Sequence, residues 1–146
     1  MHLIINGKDI IEQQVEVIED HNHNVQHCIP NLADGLNVIA GAGAWTLGNF
    51  AVLIATGLLV QPFDIHMVHV GTFSASDIYQ LNLYAGANGS EVLIAEVRFT
   101  RTNATNPGSI LPCITPLLPA GTQVKAKLAC KLGGANVNFS VMYHTY

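Results

Sequence analysis

From Leu36 onward, short apolar stretches alternate with Gly, Asn and Pro, a pattern typical of β-sandwiches and β-barrels. The candidate strands are 36–41, 50–60, 64–71, 78–85, 91–100, 110–115, 122–131 and 135–145. Eight strands fit a jelly roll, in which two facing sheets leave little strand edge exposed. The sequence therefore predicts an all-β, jelly-roll-like antiparallel β-sandwich over residues 31–146, behind an arm formed by residues 1–30.

Two late strands show the alternation most clearly, because every second residue of a strand lies on the same face of its sheet. The predicted core residues are Val124, Ala126, Leu128, Cys130, Val137, Phe139, Val141 and Tyr143, with Lys125, Lys127 and Lys131 on the opposite face. In strand 64–71 the same period groups His66 with Val68 and Val70, and His69 with Ile65 and Met67. Residues 86–90 predict a hairpin turn, and 103–109 a surface loop.

The N-terminal arm has a different period. Its apolar positions and one Asn recur every three or four residues, as in a short coiled-coil seam, and these predicted oligomerisation residues are Ile11, Val15, Ile18, Asn22 and Val25. A helix over residues 9–25 would be too short to persist alone in water, so it would need partner helices or a docking surface. Its β-branched residues also suit a strand. The arm is therefore predicted to be either helical or extended.

Composition favours a protein that contacts other proteins. Only 11% of the 146 residues are charged, well below the roughly 25% of ordinary domains, so much of the surface must be neutral. Residues 1–35 carry six acids and one base, and no basic stripe for nucleic acid is present. The longest apolar run, 50–60, is too short to cross a membrane as a helix and is predicted to be a buried strand.

Cysteine usage and the first residues bear on the cellular compartment. Three widely spaced cysteines argue against a disulfide framework and against a CxxC metal site, so reduced thiols are expected, with Cys130 in the core. The first residues lack the cationic start and long apolar stretch of a secretory signal. We therefore expect synthesis and folding in a cytosol.

Two groups of residues could bind a metal or take part in catalysis. His21, His23 and His27 are candidate metal ligands, although hydrogen bonds at the end of the arm explain the same residues. Asp64, His66 and His69 could belong to a catalytic site, but no nucleophile or paired-carboxylate motif accompanies them. We therefore expect no enzyme activity and no cofactor.

Two aromatic residues are candidate ligand contacts. Trp45 stands alone in a Gly-Ala-rich stretch and could form a platform for a sugar, although packing over the end of the sandwich is the commoner role of such a Trp. Tyr79 is expected to be an exposed loop aromatic of the same kind.

Several short segments of the chain resemble tailed-phage virion proteins, which combine a short acidic helix, an Asp/His-rich segment and a β domain ending in an aromatic-His-aromatic pattern. The matching segments are 19–24, 64–70, 96–99, 121–126 and 137–146. The chain departs from these proteins at residues 25–28, where they often have a charged, Trp-bearing segment. The resemblance implies a small β-sandwich protein attached to a phage particle as a homotrimer.

The leading hypothesis is a structural virion protein that decorates or cements a capsid, or forms a short head fibre, through self-association. Its expected partners are copies of itself and the major capsid protein or another virion protein, and its expected location is a virion assembled in the bacterial cytoplasm. Nucleic acid and membranes are not expected partners. The alternative is a receptor- or glycan-binding module of a phage fibre.

Overall fold

Every regular element in the described part of the chain is a β-strand. The computed structural model describes residues 4–5, 8–9, 27–30, 35–102 and 109–146. The strands are β1 (Ile4–Ile5), β2 (Lys8–Asp9), β3 (His27–Ile29), β4 (Leu36–Ile39), β5 (Ala51–Ile54), β6 (Phe63–Phe73), β7 (Asp77–Ala85), β8 (Val92–Arg101), β9 (Ser109–Pro112), β10 (Val124–Cys130) and β11 (Asn136–Thr145). Among these residues there is no helix with the length and hydrophobicity needed to span a membrane.

The strands form two main antiparallel sheets. In sheet I the order is β4-β11-β6-β9, and β3 pairs with β11 on the same side as β4. In sheet II the order is β5-β10-β7-β8. From β4 to β11 the chain changes sheet at every connection except the β7–β8 hairpin, which is the jelly-roll arrangement. The predicted fold class is confirmed. β1 and β2 form a separate two-stranded pair.

The core lies between the two sheets and is built by the predicted alternation. The fully buried residues include Val124, Ala126, Leu128, Cys130, Val137, Phe139 and Val141. Phe99 of sheet II packs edge-on against Phe139 of sheet I, with ring centroids 5.8 Å apart. All three cysteines are free thiols, and Cys130 lies in the core as predicted.

The predicted grouping of side chains on the two faces of β6 is wrong, because the strand contains a β-bulge. Ile65 pairs with Tyr143 and Met67 pairs with Met142, which leaves His66 as an extra residue between them. The extra residue changes the phase of the alternation, so that Ile65 and Val68 are both buried although they are three residues apart. His66 therefore lies on the outer face of sheet I and does not share the face of Val68.

The predicted strand 50–60 is much shorter in the structure. β5 ends at Ile54, because a turn around Gly57, whose φ is 74°, leads the chain out of the sheet. The second half of the apolar run is therefore not a buried strand, and Val60 is 84% exposed.

The start of the sandwich also differs from the prediction. β3 lies within the segment assigned to the arm, yet its residues 27–29 pair with β11 and belong to sheet I. The loop 103–108 and the residues 10–26, which contain almost all of the predicted helix, lie outside the described residues. The choice between a helical and an extended arm therefore stays a prediction.

Candidate functional site

The outer face of sheet II carries a connected set of polar side chains. Gln80 and Asn82 of β7 lie on this face and pair across the strands with Arg98 and Glu96 of β8. Both amides donate to the Glu96 carboxylate, Gln80 at 3.3 Å and Asn82 at 3.2 Å. The Arg98 guanidinium donates to the side-chain oxygen Oε1 of Gln80 at 2.8 Å. These bonds fix the orientation of both amides.

Trp45 lies over the same face. It belongs to the loop between β4 and β5, and its backbone N–H donates to the carbonyl oxygen of Cys130 in β10 at 2.8 Å. Its φ of 54° is unusual for a bulky residue. The Arg98 guanidinium lies 4.7 Å from the ring centroid, within cation–π range. The Trp45 side chain is still 42% exposed and therefore accessible from solvent, and its role as a ligand contact stays a prediction.

A second aromatic group lies towards the β5 edge of this face. The Phe50 ring meets the Tyr84 ring edge-on, with centroids 5.2 Å apart. The ammonium group of Lys127 lies 4.1 Å from the Phe50 centroid, and that of Lys125 lies 5.1 Å away. The Tyr84 hydroxyl accepts a hydrogen bond from Asn82 at 3.4 Å, which joins this group to the polar network.

Lys125 is on the predicted face but is not solvated, since only 2% of it is exposed. Its ammonium group lies 2.5 Å from both the Glu91 carboxylate and the Asn88 side-chain oxygen. The turn between β7 and β8 thus covers Lys125 and supplies both partners. The hydrogen bond from Lys125 lowers the pKa of the Glu91 carboxyl.

The outer face of sheet II therefore combines exposed aromatic rings with fixed amides and charges. We call it the polar–aromatic face, and its members are Trp45, Phe50, Gln80, Asn82, Tyr84, Glu96, Arg98 and Lys127. Aromatic rings offer stacking surfaces, while amides, carboxylates and guanidinium groups bind hydroxyls. This chemistry suits an uncharged polyhydroxylated ligand.

The prediction that Tyr79 is an exposed ligand contact is wrong. It is fully buried and stacks on Phe99, with ring centroids 5.3 Å apart. Its hydroxyl donates to the carbonyl oxygen of Ala75, and burial, with Cys130 and Asp77 nearby, raises its pKa to about 12. The period of β7 places it in the core beside Leu81, so it cannot contact a ligand.

The predicted arm site is described only at its last residue. His27 belongs to β3, and its ring lies 5.6 Å from the Tyr143 ring. The other candidate metal ligands, His21 and His23, lie outside the described residues. So do all the predicted oligomerisation residues, Ile11, Val15, Ile18, Asn22 and Val25, and these assignments stay predictions.

Two of the three candidate catalytic residues meet on the outer face of sheet I. His66 Nε2 lies 2.7 Å from Asp64 Oδ1, and His144 of β11 joins them, its ring centroid 4.3 Å from that of His66. The Tyr146 hydroxyl donates to Asp64 Oδ2 at 2.9 Å. Partial burial, together with this bond, raises the pKa of Tyr146. His69 pairs instead with Ser140 and Ile110, farther along the strands.

Exposed aliphatic side chains gather at two opposite edges of the sandwich. Near β4 and β5 these are Ile39, Leu47, Val52, Leu58 and Val60. Ile39 and Leu47, with Phe50, line a groove of about 480 Å³. The opposite edge is formed by β8, β9 and residues 113–118, which continue along β6. Its exposed aliphatic residues are Val92, Leu93, Ile110, Ile114 and Leu117.

Comparisons with known proteins give only distant structural similarity. The sequence matches no protein-family model, and it matches no curated protein. The fold is similar to the carbohydrate-binding module CsCBM6-3 from Clostridium stercorarium, solved with cellobiose, at 12% identity and a TM-score of 0.43 over 84% of this chain and 88% of that one. It is also similar to a chain of infectious bursal disease virus, Gt strain, at 10% identity and a TM-score of 0.42. That alignment covers 83% of this chain but only 32% of the viral chain.

Proposed function

We propose that this chain is a structural virion protein of a tailed bacteriophage, which decorates or cements the capsid through self-association. The observation that carries the proposal is the exposed aliphatic surface at two opposite edges of the sandwich. Several exposed aliphatic side chains at one edge favour an interaction site there. The resemblance of short segments of the sequence to tailed-phage virion proteins supports the virion as the location.

The arrangement of the two edges favours a closed ring of subunits. A contact between two different surfaces is head-to-tail, and such contacts close into rings when the rotation per subunit permits. At the first edge β4 and β5 have only four residues each, which discourages open-ended pairing of strand to strand there. At the opposite edge β9 is equally short, whereas β8 has ten residues. Side-chain packing between the edges would then carry the association. The homotrimer is the ring that the resemblance implies.

Sedimentation of the full chain tests self-association. We expect the wild type to have about three times the mass of the 15.6 kDa chain. Ile114→Lys, at the β9 edge, should shift the protein towards monomers. Leu132→Lys is the matched control, because Leu132 is equally exposed, at 75% against 78% for Ile114, but lies in the β10–β11 turn. A wild type that stays monomeric at micromolar concentration would contradict the proposal.

Attachment to the particle needs a separate measurement. Virions purified through a density gradient should retain the chain, and mass spectrometry should detect it beside the major capsid protein. Its absence from purified virions, with trimers present in solution, would reject the virion role and keep self-association.

The second candidate function is glycan binding by a phage fibre, favoured by the polar–aromatic face. A glycan array followed by calorimetry with the wild type, Trp45→Ala and Leu132→Ala tests it. A receptor-binding module should lose glycan binding in Trp45→Ala alone, without a change in oligomeric mass. Absence of binding across the array would reject this candidate.

A further inference from the structure

Asp64, His66 and His144 bring three metal-ligating atoms together on the outer face of sheet I. Asp64 and His144 are direct cross-strand partners on β6 and β11, and His66 lies two residues from Asp64. One ligand atom from each residue lies within 4.8 Å of the others. The three side chains are partly buried, so a small ion from solvent can reach them.

The β-bulge of β6 is what places His66 in this cluster. In a regular strand, the period that buries Val68 and Val70 would also turn Asp64 and His66 towards the core. The extra residue at His66 resets the period, so that Phe63 and Ile65 are buried while the Asp64 and His66 side chains meet His144 outside. Bulges often re-aim a side chain at functional positions.

The carboxylate is also oriented from a second side. Tyr146 donates to Asp64 Oδ2 at 2.9 Å, and this leaves Oδ1 directed at His66. Hydrogen bonds of this kind fix metal-ligating carboxylates in place and contribute to affinity. The cluster therefore has three ligands and an outer partner that orients one of them.

We propose that Asp64, His66 and His144 bind a divalent transition-metal ion, with Zn²⁺ as the ion of choice. Two imidazole nitrogens and one carboxylate oxygen are a common three-ligand set for zinc, and water can complete the tetrahedron. With bonds of about 2.0–2.1 Å, tetrahedral ligand atoms are about 3.4 Å apart. The 2.7 Å contact between His66 Nε2 and Asp64 Oδ1 is a hydrogen bond, and the two atoms must move apart by about 0.7 Å to admit the ion.

The ion would join the beginning of β6 to the end of β11. Because the three ligands meet only in the folded sheet, zinc binding stabilises the fold by mass action. This proposal does not rest on the virion role, because its evidence is the arrangement of the three ligands alone.

Calorimetric titration of the chelator-treated full chain with ZnCl₂ tests the site, together with melting curves. We expect one ion bound at the cluster and a melting temperature that rises with zinc. His144→Ala should lower the affinity for Zn²⁺ by more than about 100-fold, and Tyr146→Phe should lower it by about 10-fold. The matched control is His69→Ala, which changes a histidine on the same strand outside the cluster and should bind zinc as the wild type does.

Zinc binding at the arm is the competing result. A double variant, His21→Ala with His23→Ala, should keep the binding event that His144→Ala loses. Loss of binding in the arm variant but not in His144→Ala would overturn the proposal, and so would a wild type that binds no zinc. If His144→Ala fails to fold, His66→Asn gives the same test, since His66 is at the bulge and outside the core.

Discussion

Replacement of Phe139 by Ala should test the central place of β11 in the fold. The residue is 1% exposed, lies between β4 and β6 in sheet I and packs edge-on against Phe99 of the facing sheet. Loss of its buried apolar area costs about 2–3 kcal/mol. The lost ring contact adds about 0.5–1.5 kcal/mol, and an incompletely refilled cavity adds about 1 kcal/mol. These contributions sum to about 3.5–5.5 kcal/mol, and with the range of measured Phe→Ala substitutions the expected cost is about 3–5 kcal/mol.

The assay is urea and thermal unfolding followed by circular dichroism. A loss of 3–5 kcal/mol is a large part of a typical stability of about 5–15 kcal/mol, and it should lower the melting temperature by roughly 10 °C. Phe139→Leu should cost about 1–1.5 kcal/mol, since it keeps most of the volume. The exposed control Leu132→Ala should stay within about 0.5 kcal/mol of the wild type.

The reasoning is refuted if Phe139→Ala melts within about 2 °C of the wild type with unchanged cooperativity. Such a result would mean that β11 does not close the core. Deletion of residues 136–146 gives an independent check, because it removes the partner of both β4 and β6. We expect that truncation to be insoluble, and a soluble, cooperatively melting product would contradict the assignment.

Three further predictions concern single contacts. Melting curves should show that Gly133→Ala has a much lower melting temperature than Gly134→Ala. Both glycines have a positive φ, so both substitutions strain the backbone, but only at Gly133 would the added Cβ lie 2.3 Å from a backbone oxygen. The Glu91 carboxyl has a lowered pKa in the folded state, so its stabilising contact with Lys125 is present above its ordinary value of 4.5 and lost as pH falls through the lowered one. The stability advantage of the wild type over Glu91→Gln in urea should therefore shrink in acid, and an advantage independent of pH would contradict this. Tyr79→Phe removes a buried hydrogen bond and should cost about 1 kcal/mol in urea unfolding, while an unchanged midpoint would show that the hydroxyl contributes nothing.

The sandwich could be predicted because, in most strands, the alternation of apolar and polar residues shows which side chains face the core. In β10 and β11 every second residue is apolar, and the structure buries Val124, Leu128, Val137 and Phe139 as expected. The alternation does not decide the inner face of β6, because Ile65 and Met67, on both sides of His66, are apolar and so are Val68 and Val70. Either set of alternate residues could face the core. Only the pairing with β11 selects the phase, and that pairing joins residues about 80 positions apart in the chain.

The candidate sites depended more strongly on distant contacts. The sequence pointed to Asp64 and His66 but not to the role of His144, whose position in the cluster comes from its place opposite Asp64 on another strand. The period of β10 correctly places Lys125 on the face opposite the core, but it does not show that the β7–β8 turn, 34 residues away, buries this residue. Tyr79 illustrates the opposite error, since its position near a loop suggests exposure although the period of β7 places it in the core.

The position of β11 in the middle of sheet I has a consequence for biosynthesis. Its partner β4 lies about a hundred residues earlier in the chain, as in the bond between the Asn37 and Asn138 side chains, which are 101 positions apart. Contacts of such high sequence separation make folding slow. The β7–β8 hairpin is local and can form while the chain is still being translated. β6, by contrast, has no neighbour on its β11 side until the last strand is synthesised, so the nascent chain exposes a long unpaired strand edge. Completion of the fold therefore waits for β11, and the interval before it is when aggregation or premature contact with other chains competes with folding.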